Sequence, residues 1–300
     1  MSGGAEARAG RVTFICALAI VVLVIAAAAL APLIAPYDPA KIDLASKLTG
    51  PSAAHPLGTD QAGRDVLSRL IWGARPSLLV GFVAVVIALA GGVPLGLAAG
   101  FFGGLIEEVA MRFAEVLASI PLLIWAIATV GILGVGPVSI GPWQFPNEAK
   151  LIAVVGILNI PGIARITHAM ALVESRADYV KARRLQGASV AAIMIGDVLP
   201  NCMSPVVVQA TLLVAVGIVL EASLSFIGLG VQPPAPSWGS MLADARNFVF
   251  TGEWWLPVFP GLSISLTVVG FNLLGDSVRD LFDPRNRSVA GGPGLRSGVI

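Results

Sequence analysis

Charge in this chain is bunched rather than spread. No Asp, Glu, Lys or Arg occurs between Arg11 and Asp38, Arg75 and Glu107, Glu115 and Glu148, or Glu253 and Asp276. A helix rises ~1.5 Å per residue and needs roughly 20 apolar residues to cross about 30 Å of hydrocarbon, so every gap can hold a membrane span. Runs such as LLVGFVAVVIALAGGVPLGLAAG are apolar on every face, whereas a barrel strand alternates over ~10 residues. Of 300 residues, 56% are hydrophobic and 12% charged, which is far from a soluble average. The chain reads as an all-α integral membrane protein.

Six spans are expected: Val12 to Leu33, Pro76 to Gly100, Glu107 to Leu133 bent at Pro121, Lys150 to Met170 bent at Pro161, Pro205 to Gly230, and Leu256 to Leu274. The AAAALA run in the first resembles a signal-peptide cleavage site, but its apolar stretch is too long for one. Lys and Arg accumulate on the side that is not translocated. With both termini inside, seven of the 19 basic residues (Lys41, Lys47, Arg64, Arg69, Arg75, Lys150 and Arg246) fall outside and the other twelve inside. Trp72, Trp143, Trp238, Trp254 and Trp255 then gather at the outer loops as an aromatic belt. This arrangement divides the chain into a cytoplasmic N-terminus (1–11), a first helix (12–35) and an extracytoplasmic loop with an interfacial helix (36–75). A core of five spans (76–277) follows, containing an inner loop at 174–204, and then a cytoplasmic tail (278–300).

A net charge of +1 without a basic stripe argues against a nucleic-acid partner. None of the four lysines follows a glycine, so no GxxxxGK[ST] phosphate loop exists. His55 and His168 lie too far apart for one site and neither has metal-ligand spacing; no intramembrane Ser neighbours a base. Catalytic, metal and cofactor-binding residues are therefore not expected. Cys16 and Cys202 read as buried small residues, not a disulfide. Gly92, Gly96 and Gly100 share one helix face, which suits close helix packing. Glu221 lies ~12 Å inside the fifth span, where an acid is costly unless paired or wetted. It either faces a translocation pathway or makes a structural bond between helices.

The inner loop DYVKARRLQGASVAAIMIGDVLPN, from Asp178, is the most informative stretch. Asp178 to Gln186 suits a short helix with a basic face and with Tyr179, Ala182 and Leu185 on another. Gly187 allows a sharp turn. A second helix from Ala188 is expected to end before Pro200. Such a unit is either a lever for a soluble partner or a basic loop touching anionic lipid. The spacing Ala182, Gly187, Leu199, Pro200 resembles the EAA loop of binding-protein-dependent ABC importers, which docks on the ATPase. Three positions depart from that pattern: Lys181 stands at its Glu, Arg183 at its second Ala, and Asp197 at its Ile.

Four longer stretches resemble one subfamily, the C-type permease subunits of dipeptide and oligopeptide importers. They are HPLGTDQAGRDVLSRLIWGARPSLLVG from His55, AAGFFGG from Ala98, SLSFIGLGVQPPAPSWGSML from Ser223, and FPGLSISLTVVGFNLLGDSVRDLFDPR from Phe259. The resemblance implies a type I importer permease (MetI-like) fold in the bacterial cytoplasmic membrane. It also implies a homologous B-type permease, two cytoplasmic ATPases holding ATP and Mg, and an extracytoplasmic substrate-binding protein. Under it, Asp178, Tyr179, Ala182, Arg183, Leu185, Gly187, Ala188, Leu199 and Pro200 form the ATPase-coupling loop. Asp60, Arg64 and Asp65 are candidates for docking or gating with the binding protein. Relatives of this type also carry nickel complexes, haem or glutathione. An ion-gradient-driven secondary transporter is the alternative from another class, and a membrane enzyme has little support.

Overall fold

The computed structural model describes residues 3–282 except 135 and 141, with the backbone alone for 3–9, 140, 143, 281 and 282. Most of the expected tail and the side chain of Trp143 lie outside the described residues. Helices α1 (Gly3–Ala29) and α2 (Ala31–Ile34) lead into a loop whose only regular turn is a 3-10 helix at Leu44–Ser46. No interfacial helix forms in 36–65. The residues expected to supply it begin α3 (Val66–Phe102), ten residues before the predicted start, because Asp65 accepts from the Ser68 amide as N-cap. Pro76 lies inside this helix.

The expected third span is two helices, α4 (Gly104–Ala118) and α5 (Leu122–Leu133), bent by 80° across the break at 119–121. Pro121 was the predicted bend. A proline can kink a continuous helix, but here the chain leaves helical geometry altogether. A two-stranded hairpin, β1 (Val138–Ile140) with β2 (Trp143–Phe145), joins α5 to α6 (Asn147–Glu174). Helix α6 runs unbroken through Pro161. Next come α7 (Asp178–Leu185), α8 (Val190–Ala192), a π-helical stretch at Ile193–Val198, and α9 (Leu199–Phe226). The second inner-loop helix does not end before Pro200; it passes through it. Looser i→i+5 turns directly upstream let the helix continue where Pro200 donates no N–H. Finally α10 (Trp238–Ala245) precedes α11 (Trp255–Phe282).

Five helices are long and apolar enough to cross a membrane, or six if the bent pair counts as one span. Helix α3 is central, lying against α6 on one side and α9 on the other, while α11 packs on α9 and α1 on α11. Glycine sets the α3–α6 approach. A Cβ on Gly92 would lie 2.6 Å from Ile163 Cβ, and one on Gly100 would lie 2.6 Å from the His168 carbonyl. At Gly96 it would collide with the Ala164 carbonyl. Gly217 likewise brings α9 against Gly81 of α3. Side-chain-free rows of this kind let helices in lipid gain dispersion contact along their whole length. Arg75 fixes α1 by donating to the carbonyls of Ala28 and Ala29 at the helix end, at 2.6 and 3.1 Å. Cys202 is buried as expected; Cys16, expected to be buried too, is exposed on α1, which packs mainly on α11 and α3 among the described residues.

Candidate functional site

The two ends of the bundle differ. At the α7 end, the chain leaves α6 through Ser175 and forms α7, whose Val180 is fully buried. Val180 enters an apolar joint with Leu97 of α3, Ala171 of α6, Ile193 and Val198 of the π stretch, and Cys202 of α9. One side chain thus roots α7 among three long helices. Ala188 and Leu199 pack at the edge of this joint.

The opposite face of α7, at Ala182 and Leu185, is uncovered among the described residues. Leu185 is 90% exposed, and Tyr179 and Ala182 are also exposed. Gly187 turns the chain at φ +78°, a conformation glycine adopts without strain. Ser189 then caps α8 by accepting from the Ala192 amide. Pro200 sits in the first turn of α9.

Two residues that depart from the importer pattern meet each other: Arg183 Nε donates to Asp197 Oδ2 at 3.0 Å and ties α7 to the π stretch. The third, Lys181, donates to Asp178 Oδ1 at 2.8 Å, a bond that lowers the pKa of Asp178. The hydroxyl of Tyr179 donates to Glu174 Oε2 at 2.6 Å and accepts from Asn201 Nδ2 at 3.2 Å. Partial burial, then the bond to Glu174, push its phenol up to about 12. Because the folded value lies above the unfolded one, this contribution is whole below pH ~10 and fades as pH rises towards the folded value.

At the α10 end, Asp60, Arg64 and Asp65, the candidates for docking or gating, sit in a network of ion pairs. Asp60 and Asp65 are 6% and 2% exposed. Asp60 accepts from Arg64 Nε at 2.7 Å and lies 3.4 Å from Arg69 Nε, and both arginines reach Asp244 of α10. Asp65 accepts from His55 Nδ1 at 2.9 Å and from the Ser68 amide and hydroxyl, each at 2.7 Å. These groups bind the loop down onto α3, α10 and α11. Trp255 completes the closure by donating to the Thr59 carbonyl.

Glu221 is wholly buried. Its carboxylate accepts from Ser77 of α3 at 2.7 Å and from Ser225 at 2.6 Å. Ser225 in turn accepts from the Val231 amide, and Ser237 at the α10 cap also reaches the carboxyl. The acid therefore joins α3, α9 and the loop into α10. Sequence reasoning missed Lys150, whose ammonium is buried and donates to the carbonyls of Gly134 and Gly136 just beyond α5. Its position at the edge of a charge-free gap was the available signal.

Two family comparisons match this architecture. The binding-protein-dependent transport system inner membrane component matches residues 92–288, and the N-terminal transmembrane domain of oligopeptide transport permease C matches residues 12–51. The chain belongs to this family of importer permeases. Among its relatives is the di/tripeptide transport system permease protein DppC of Pseudomonas aeruginosa (strain UCBPP-PA14), 42% identical over 279 residues. That alignment covers 91% of this chain and 88% of the relative. The dipeptide transport system permease protein DppC of Escherichia coli (strain K12) is 44% identical, covering 89% and 87%. The glutathione transport system permease protein GsiD of Pectobacterium atrosepticum is 39% identical, covering 89% and 85%. A solved amino acid ABC transporter with histidines superposes on 72% of this chain with a TM-score of 0.47 and 19% identity. The permease is thus an inner-membrane component of an ABC importer and works with other subunits. Membership sets aside the secondary-transporter and enzyme readings.

Proposed function

We propose that this permease forms half of a peptide conduit, paired with a homologous B-type permease and served by two cytoplasmic ATPases and an extracytoplasmic binding protein. ATP and Mg are held by the ATPases. The dipeptide and oligopeptide names of its relatives support the substrate class. In this arrangement both termini and α7 lie inside, and the α10 end faces outward.

One observation carries the coupling role: α7 is rooted by Val180 in three long helices yet leaves Ala182 and Leu185 uncovered. A rigid element anchored on one face and open on the other transmits the movement of whatever grips it. On this reading, ATP binding draws the two ATPases together and pulls α7 inward. The joint passes that displacement to α3, α6 and α9, and hydrolysis reverses it.

Cysteines at Ala182 and Ala188, cross-linked in cells that perform the uptake, test the proposal. Capture of the nucleotide-hydrolysing subunit is the expected result. Undiminished uptake without capture would overturn it.

A further inference from the structure

The same joint touches a second movable part, and this inference rests on the importer reading above. Arg184, in the last turn of α7, stacks its guanidinium 5.3 Å from the ring centroid of Phe101 near the end of α3. Two residues later come Gly103 and Gly104, both left-handed, with φ of +67° and +59°. A Cβ on Gly104 would meet nothing within 4 Å, and one on Gly103 only the far end of Glu107. Glycine is needed there for backbone freedom and not for space. Helix α4 starts at this joint without a side-chain cap and ends at the 80° break. It is a bar with a hinge at each end.

Two contacts latch the bar to α6. His168 Nε2 lies 2.8 Å from Glu107 Oε1, and Arg165 donates to the Ala114 carbonyl at 3.4 Å. The two contacts lie near opposite ends of α4. Its other sides are uncovered among the described residues: Leu105 is 75% exposed and Val116 64% on one, with Glu108 and Glu115 on another. Carboxylates on a bar bordered by spans must face water or polar groups, not lipid.

We propose that Arg184 and Phe101 are positioning residues that carry the movement of α7 into the Gly103–Gly104 hinge and so swing α4 across the inner mouth of the conduit. A guanidinium held over a ring face is drawn to it, so the contact links the end of α7 to the end of α3.

The assembled importer in vesicles, with this chain carrying Cys16→Ser, Cys202→Ala and Glu108→Cys, provides the test. A membrane-impermeant maleimide is applied from the α7 side, nucleotide-free and after trapping with ATP and vanadate. Labelling of Glu108→Cys should change roughly threefold or more between the two states. Adding Arg184→Ala or Phe101→Leu should remove most of that change while ATP hydrolysis persists. Phe101→Leu matters because it lies on α3, not on the helix that meets the ATPase. Equal labelling in both states of an assembly that imports would overturn this proposal alone, as would a full change in both variants. An assembly with the native chain that hydrolyses no ATP would overturn the importer reading as well.

Discussion

At the scale of single residues, pairing explains what composition left open. Glu221 tolerates its depth because serines from three elements supply donors, a satisfied network in place of a bare charge. Glu221→Leu would leave those hydroxyls without their acceptor and should destabilise the detergent-solubilised subunit by about 1–3 kcal/mol, read as a lowered melting temperature. Glu221→Gln keeps an acceptor and a hydrogen-bonding shape. It should sustain normal uptake at normal subunit levels, whereas lost uptake at normal levels would assign the carboxylate to the pathway. Arg183 and Asp197 teach a related lesson. Each alone departs from the importer pattern, and together they form one bond between α7 and the π stretch. A half-buried pair of this kind contributes about 1 kcal/mol or less, and it ties α7 to the π stretch.

At the scale of elements, the glycine row on α3 makes the sharpest prediction. Gly96→Ala places a methyl group against the Ala164 carbonyl and Thr167 Cβ, both on the α6 helix. Overpacking of this kind costs about 1–3 kcal/mol. Reduced melting temperature and subunit yield should follow, while Gly131→Ala, with open space around it, should behave like the native chain. The row was legible in the sequence because a four-residue repeat of glycine fixes a helix face. The spans were legible too, since absence of charge over twenty residues has few other causes. Angles were not. Pro121 announced a bend but carried no information on whether the helix would kink or break. Pro200 announced a helix end that the π turns upstream made unnecessary. The start of α3 was misread because Asp65 is a cap only once the loop has folded around His55 and Ser68.

At the scale of the whole molecule, the outer loop is held by bonds between residues nearly two hundred positions apart, such as Arg64 with Asp244 and Thr59 with Trp255. No local pattern could reveal them, so the sequence offered no sign that Arg64 meets Asp244 or that Thr59 meets Trp255. Asp65→Ala removes the α3 cap, worth about 1 kcal/mol, together with the His55 and Ser68 bonds. Trypsin added from outside should then cut at Lys41 or Lys47 several-fold faster, with α3 to α11 left whole on a gel; an unchanged rate would show that the loop is secured elsewhere. The same long-range ties set an order of events during synthesis. Residues 36–65 are made before their partners Asp244 and Trp255, which lie nearly two hundred residues further along the chain. The segment's local bonds, such as His55 with Asp65 and Asp60 with Arg64, can form as soon as it is made, but its closure onto α10 and α11 must wait for those helices.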